Sequence, residues 1–394
     1  MRSSGLHNLR LDVVSLYEIL GVAPKAKSQQ LRIAYRKLAR SYHPDINPDP
    51  KAHERMALIN TAFETLSDPA RRMEYDASLF GTPGAAIVSA PDAPVKESVS
   101  VRLAHRLKDH RTPIYSITFE PDTNRLVSSS FDNQILWWDD DFAVRRSLRL
   151  EGGVVNVVHP VGDDNIVAAG CSESLVSVWQ INSGEMVSWR NSPLEWICCV
   201  SVAQDGKYVA LGSIHNIVQV CKTATGDAAF VGNQHTQSVT AVQWSADGKY
   251  LATGSADATV KIWNASTGKL LHSFNSVRST VTALAFSSDS RMLAVASVDR
   301  SVRIFRMGDY DLVKTFFGHE KPIESIAFHP DGQLLASAGR DGVVYLWNVM
   351  QGRGHGKIEA SPQPLSTVTF SPDGKSLATG GLDKVIRIYE LSFQ

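Results

Sequence analysis

Two hydrophobic periods divide the chain. In QQLRIAYRKLARSY, Leu31, Tyr35, Leu38 and Tyr42 recur at the three- and four-residue intervals of one helix face, and in KAHERMALINTAFETL, Met56, Ile59, Phe63 and Leu66 do the same. Between them lies HPDINPDP, whose three prolines stop a helix and force a turn. Ser28 is placed to cap the first run, and a shorter helix is expected around Val13 to Leu20. After the second run, Pro69 stands at the first position of a further helical turn, where its missing N–H costs nothing. Residues 12–78 thus predict an antiparallel helical hairpin with small flanking helices, its apolar stripes facing each other.

Residues 79–98 are rich in Gly, Pro, Ala and Ser and read as a semi-extended linker. Beyond them the period drops to two. Aligned on a turn position, Asp132, Glu173, His215, Asp257, Asp299, Asp341 and Asp383 follow one another at 41 residues once and at 42 residues five times. Three and five residues after each anchor stands an apolar pair, as in Ile135/Trp137, Val260/Ile262 and Ile386/Ile388, around a mostly polar residue. That alternation is a strand with one face buried. Six residues after the anchors come Trp138, Trp179, Cys221, Trp263, Phe305, Trp347 and Tyr389, while Asp-Gly turns at Asp205, Asp247, Asp331 and Asp373 join tight hairpins. Each unit predicts a small antiparallel sheet of about four strands that cannot bury both faces alone. Seven arranged radially can, which predicts an all-β seven-bladed propeller over residues 99–394. The seventh unit holds only three strands of its own, so residues 99–107 are expected to supply the fourth and close the ring.

Charge sharpens the first segment more than the second. Of 394 residues, 43% are hydrophobic and 20% charged, and 40 basic side chains balance 40 acidic ones, so the chain as a whole exerts no long-range pull on nucleic acid or anionic membrane. Any electrostatic partner must meet a local patch. The side of the first helical run opposite its apolar stripe carries Arg32, Arg36, Lys37 and Arg40 with no acid among them, which is such a patch. No apolar run has signal-peptide or membrane-spanning length, and the expectation is a cytoplasmic chain without membrane partners. The four cysteines contain no Cys-x-x-Cys; they are expected to be free and mostly buried, with no metal site and no cofactor.

The helical segment resembles the J domain of DnaJ-type co-chaperones through YEILGV (17–22), AYRKLARSYHPD (34–45), IN-x-AF-x-x-LSDP (59–69) and RRMEYD (71–76). The resemblance implies docking on a DnaK-type chaperone, at the junction of its nucleotide domain and interdomain linker, and stimulation of its ATP hydrolysis. His43, Pro44 and Asp45 then form the trigger: Asp45 makes a charge-assisted bond to a basic group of the chaperone and Pro44 fixes the loop, while Arg32, Arg36, Lys37 and Arg40 seat the helix on an acidic surface. Ile46 follows the loop where the family often has a basic residue, and Met56 stands where an aromatic is common. No Gly/Phe-rich region or zinc-binding cysteine module follows, so client handling differs from the full DnaJ architecture.

The repeat looks like a WD-repeat protein, whose motif joins a loop histidine, a second-strand hydroxyl, the turn aspartate and the strand tryptophan in one hydrogen-bonded network. Carried over, unit one gives His110, Ser130, Asp132 and Trp138, and unit four gives His235, Ser255, Asp257 and Trp263. Unit six keeps His319, Asp341 and Trp347 with Gly339 at the serine position, and the other units lack the histidine. Such sets read as scaffold, because a hydrolytic triad is needed once and not in copies around a ring. QGRGHGK (351–357) fails the phosphate-loop spacing and has no helix after it, and the basic residues of the repeat are too scattered for nucleic acid. The expectation is a non-enzymatic co-chaperone whose propeller binds a client or partner protein. The alternative is a scaffold whose J domain docks without activating.

Overall fold

The computed structural model describes residues 16–23, 26, 28–42, 50–67, 72, 75, 99–150, 154–161, 165–172, 175–181, 186–191 and 196–393. Three helices come first, α1 (Leu16–Ile19), α2 (Ser28–Tyr42) and α3 (Pro50–Ser67). The two periodic runs become α2 and α3, and they pack because their stripes match. Leu31, Ile59, Ala62 and Leu66 are buried with Leu16, Tyr17 and Leu20, and Tyr35, Leu38, Tyr42 and Phe63 close over them. Tyr35 stacks on Phe63 with ring centroids 4.2 Å apart and sends its hydroxyl to Asn60 Oδ1 at 3.1 Å. The turn expected at Asp68-Pro69 lies outside the described residues.

The remainder is seven four-stranded antiparallel sheets. Blade one shows the plan: strands Ile114–Phe119, Leu126–Ser130, Gln134–Trp138 and Val144–Arg149, hydrogen-bonded in sequence order. The second strands are almost entirely buried, Leu126–Ser130 and Leu334–Gly339 along their whole length and four others from their second residue on, because other blades cover both faces. Apolar clusters accordingly cross the seams: Ile114, Ile117 and Trp138 of blade one pack with Ala378, Ile386 and Ile388 of blade seven. This is a seven-bladed β-propeller. The strand Val99–Leu107 pairs antiparallel with Ile386–Phe393, so the last blade is built from both ends of the repeat.

The Asp-Gly turns work through backbone geometry. Gly206, Gly248, Gly332 and Gly374 have φ between 68° and 71°, a left-handed conformation that glycine adopts without steric cost. The second His-Pro-Asp of the chain, His329-Pro330-Asp331, is one of these turns. His329 Nε2 bonds the Gly374 carbonyl of blade seven at 3.0 Å, which ties neighbouring turns together.

The cysteine expectation needs correction. Cys221 is buried and Cys199 partly so, but Cys198 is exposed. Cys198 is the residue skipped where the strand breaks register between Ile197 and Cys199, whereas Cys199 pairs with Gly212 and lies against Gly212 and Val239.

Candidate functional site: the basic helix and the blade networks

The exposed side of α2 follows from its buried one. With Leu31 inside and Tyr35, Leu38 and Tyr42 half inside, Arg32, Ile33 and Lys37 are left in water. Arg36 and Arg40 lie on the same helix at positions whose spacing, about 100° per residue, places them on that stripe. Their side chains, and the whole of His43, Pro44 and Asp45, lie outside the described residues. Ile33 was missed by reasoning from charge. It is 60% exposed and falls in the middle of the arc from Arg32 to Lys37, so the basic face has an apolar centre. Its position in the helical repeat was the available signal.

Ring contacts hold the hairpin from behind. Tyr75 Oη accepts the Leu16 N–H at 2.7 Å, and Arg72 donates from Nε to Tyr17 Oη at 2.9 Å with its guanidinium 5.4 Å from the Tyr17 ring centre. These contacts fasten the segment after α3 to α1 without using the exposed face of α2.

In the propeller, histidine, aspartate and tryptophan come together as expected, but the hydroxyl between them is a different residue. In blade four, Trp263 Nε1–H donates to Thr253 Oγ1 at 2.9 Å, and Thr253 Oγ1 lies 2.8 Å from His235 Nε2. Ser128 does this in blade one and Ser337 in blade six. Ser130 and Ser255, the residues carried over from the motif, instead bond loop carbonyls: Ser130 those of Thr112 and Pro113, Ser255 that of Gln237. Register is the reason. Trp263 pairs directly with Leu251, so Thr253 is its diagonal neighbour on the same face, within reach of an indole. Ser255 lies four residues along, about 13 Å of strand.

The donors and acceptors fix the proton order. The ionised Asp257 only accepts, so the neutral His235 ring carries its proton on Nδ1 and donates to Asp257 Oδ2 at 3.0 Å; Nε2 then accepts from the Thr253 hydroxyl, which in turn accepts the Trp263 indole N–H. Burial opposes ionisation of Asp257, but bonds from Thr259, the Thr236 N–H and His235 outweigh it and hold the carboxyl at about 2. Burial pushes His235 and His110 below their ordinary value against the pull of Asp257 and Asp132. The network is tight in blade six, with His319 Nδ1 2.9 Å from Asp341, and loose in blade one, with His110 Nδ1 3.7 Å from Asp132. Ser128, Thr253 and Ser337 are wholly buried, so each His–hydroxyl pair is closed to a substrate and acts as a brace.

Two blades without the histidine use arginine. Asp299 is held by Arg303 at 2.7 Å and Asp383 by Arg387 at 2.6 Å, each four residues beyond the anchor, and Ser361 stands at the histidine position of blade seven, donating to Asp383 at 2.7 Å. The signal was present in the mostly polar residue between each apolar pair.

Comparison with known proteins agrees with this division. Residues 15–76 match the DnaJ domain family, residues 101–139 the family of WD domain, G-beta repeats, and residues 216–394 the IFT122 first beta-propeller. The chain therefore joins a DnaJ-type J domain to a seven-bladed WD-repeat propeller. Among curated proteins it is similar to Chaperone protein DnaJ of Dictyoglomus thermophilum, 55% identical over 60 residues, 15% of each chain. It is also similar to Chaperone protein DnaJ of Thermosynechococcus vestitus, 51% identical over 74 residues, 19% of each chain. Chaperone protein DnaJ 1 of Aquifex aeolicus is 55% identical over 67 residues, 17% of this chain and 18% of that one. The chain spans less than a fifth of the length of these relatives. Among the described residues, no helix is long and apolar enough to cross a membrane.

Proposed function

We propose that this chain is a non-catalytic co-chaperone of the cytoplasm. Residues 12–78 form its J domain, 79–98 a linker, and 99–394 the propeller. The J domain recruits a DnaK-type chaperone and stimulates its ATPase, while the propeller holds a client or partner protein beside it. Affinity then gains from proximity, since each module raises the local concentration of what the other has bound. The observation that carries this reading is α2 itself: Arg32 and Lys37 stand exposed, opposite a packed core, on the helix that leads directly into His43-Pro44-Asp45 within a DnaJ-matching segment. In this reading Arg32, Arg36, Lys37 and Arg40 seat the chaperone, Ile33 adds an apolar contact, Pro44 shapes the loop, and His43 and Asp45 act as the trigger.

The test is single-turnover ATP hydrolysis by a DnaK-type chaperone with the full chain. The wild type is expected to accelerate hydrolysis severalfold and Asp45→Asn to leave the basal rate. Equal stimulation by both, or none by the wild type, would sink the proposal. Ile46 favours one other reading, a scaffold whose J domain docks without activating. That reading predicts complexes with the chaperone that form without acceleration and survive Asp45→Asn.

A further inference from the structure

Blade five differs from its neighbours in the loop that enters it. Where blades one, four and six place His110, His235 and His319, this loop has Val277, buried among apolar residues. The next position is Arg278. Its equivalents Arg111, Thr236 and Glu320 give their backbone N–H to the anchor aspartate. The Arg278 side chain instead leaves the propeller: Nη1 donates to Thr65 Oγ1 of α3 at 2.7 Å, across 213 residues of sequence. Phe317, at the end of the outer strand Leu312–Phe317, packs against the apolar cluster of the J domain, with its ring 6.5 Å from that of Tyr75. Between the two bodies is a cleft of about 210 Å³ in which Glu64 of α3 shares the wall with Arg278 and Arg303.

The helix repeat makes this contact directional. Ile59, Ala62, Phe63 and Leu66 face α1 and α2, whereas Thr61, Glu64 and Thr65, which line the cleft, fall about 180° away around α3. α3 therefore lies between the propeller and α2. Thr65 is only 4% exposed, so the helix is covered at that position, while Glu64 stays exposed at the cleft.

We propose that blade five is a dedicated seat for the J domain. By holding α3 through Arg278 and Phe317, it presents the Arg32–Ile33–Lys37 face of α2 away from the propeller. The chaperone site and the propeller are then parts of one rigid unit. A chaperone bound at α2 stands at a set place relative to whatever the propeller holds. Seating and chaperone docking use opposite sides of the hairpin, so they are compatible.

Amide relaxation on the full chain, measured by NMR, tests the seat without any chaperone. In the wild type, J-domain and propeller amides should share one rotational correlation time. In Arg278→Glu with Phe317→Ser, the J-domain value should fall severalfold while that of the propeller stays. If Phe317→Ser disturbs the blade-five amides, Arg278→Glu alone carries the test, since Arg278 is an exposed loop side chain that also loses its bond to Thr65. Wild-type J-domain amides that already relax severalfold faster than the propeller, or a variant with no change, overturn the seat. The same variants should stimulate a DnaK-type ATPase within about twofold of the wild type if the wild type stimulates at all. A severalfold gain or loss there would overturn the compatibility of seating with docking. Failure of stimulation by every form strikes the co-chaperone reading and leaves the relaxation result standing.

Discussion

Replacing Thr253 by valine keeps the shape of the side chain and removes one oxygen. That oxygen accepts the Trp263 indole N–H at 2.9 Å and bonds His235 Nε2 at 2.8 Å, and both partners are buried. Each group left unsatisfied costs about 1–3 kcal/mol, so the change is worth about 3 kcal/mol. Ser255→Ala is the control. Its oxygen bonds the Gln237 carbonyl and the Asp257 N–H, each at 3.0 Å; Ser255 is itself buried but Gln237 is an exposed loop residue, and the loss should cost about 1 kcal/mol. With an unfolding entropy of about 2 cal/mol/K per residue over about 300 residues, these figures correspond to falls in Tm of roughly 5 °C and 2 °C. Scanning calorimetry reads both, and the Trp263 indole proton resonance should shift in the valine variant alone. A larger loss for Ser255→Ala, or a Thr253→Val protein that melts within about 1 °C of wild type, would refute the assignment of the shared hydroxyl. The contrast should recur for Ser128→Ala against Ser130→Ala in blade one, where the same geometry holds.

Other consequences can be measured on the same protein. Arg303→Met takes the charge partner from the Asp299 carboxylate, 17% exposed, and leaves it only the bonds from Ser297 and Ser301; it should cost about 3 kcal/mol by urea unfolding, part of it recovered by adding Asp299→Asn. Gly342→Ala sets a Cβ at 1.9 Å from the Ser361 carbonyl oxygen on a backbone with φ +75°, so a loss of about 3 kcal/mol or more is expected. Deleting residues 99–107 bares the edge of Ile386–Phe393 and removes Leu107 from the seam of blades seven and one; Tm should drop by about 10 °C or more. For pH, the histidine and aspartate shifts act in the same sense. Burial lowers His235 and His110 in the folded state, so the unfolded chain binds more protons below the usual 6.5, and stability falls as the pH drops through that value. Asp257, held at about 2 against the usual 3.8, adds a second loss as pH falls from about 4 to 2, on the order of 1 kcal/mol after solvent screening. Urea midpoints taken at intervals from about pH 8 to about pH 2 check both windows.

Periodicity carried the fold because burial in each module is one-sided at the level of the single element. Leu31, Ile59 and Leu66 mark helix faces, and the apolar pairs after each anchor mark strand faces, whatever lies beyond. The shared hydroxyl was harder, since Ser128 and Ser130, or Thr253 and Ser255, differ by one full strand period and occupy the same face. Blade six held the clue: its His319, Asp341 and Trp347 persist beside Gly339, and a network that survives without its supposed serine draws its hydroxyl from elsewhere, here Ser337. A Cβ at Gly339 would meet His319 Nδ1 at 2.7 Å, so the residue there answers to packing against the histidine. The first strand of every blade also breaks register once, between Ile114 and Ser116 and at the matching place in the other six. The residues skipped there, Tyr115, Asn156, Cys198, Thr240, Thr282, Glu324 and Ser366, share no single type, because a bulge is a backbone device that many side chains tolerate.

What no local pattern could carry is the meeting of Arg278 with Thr65 and of Phe317 with Tyr75. Each residue satisfies its own element: Arg278 is one more polar loop residue, and Thr65 back-bonds to the Thr61 carbonyl at 2.9 Å as threonines in helices do. Only their juxtaposition separates a helix face that must stay free from one that is used. In the proposed co-chaperone reading the first copy of His-Pro-Asp gains its role in the same way, from the basic helix that leads into it, whereas the second, at His329, is spent on a turn. Position relative to packed elements, more than the identity of the residues, divides scaffold from the proposed docking surface in this chain.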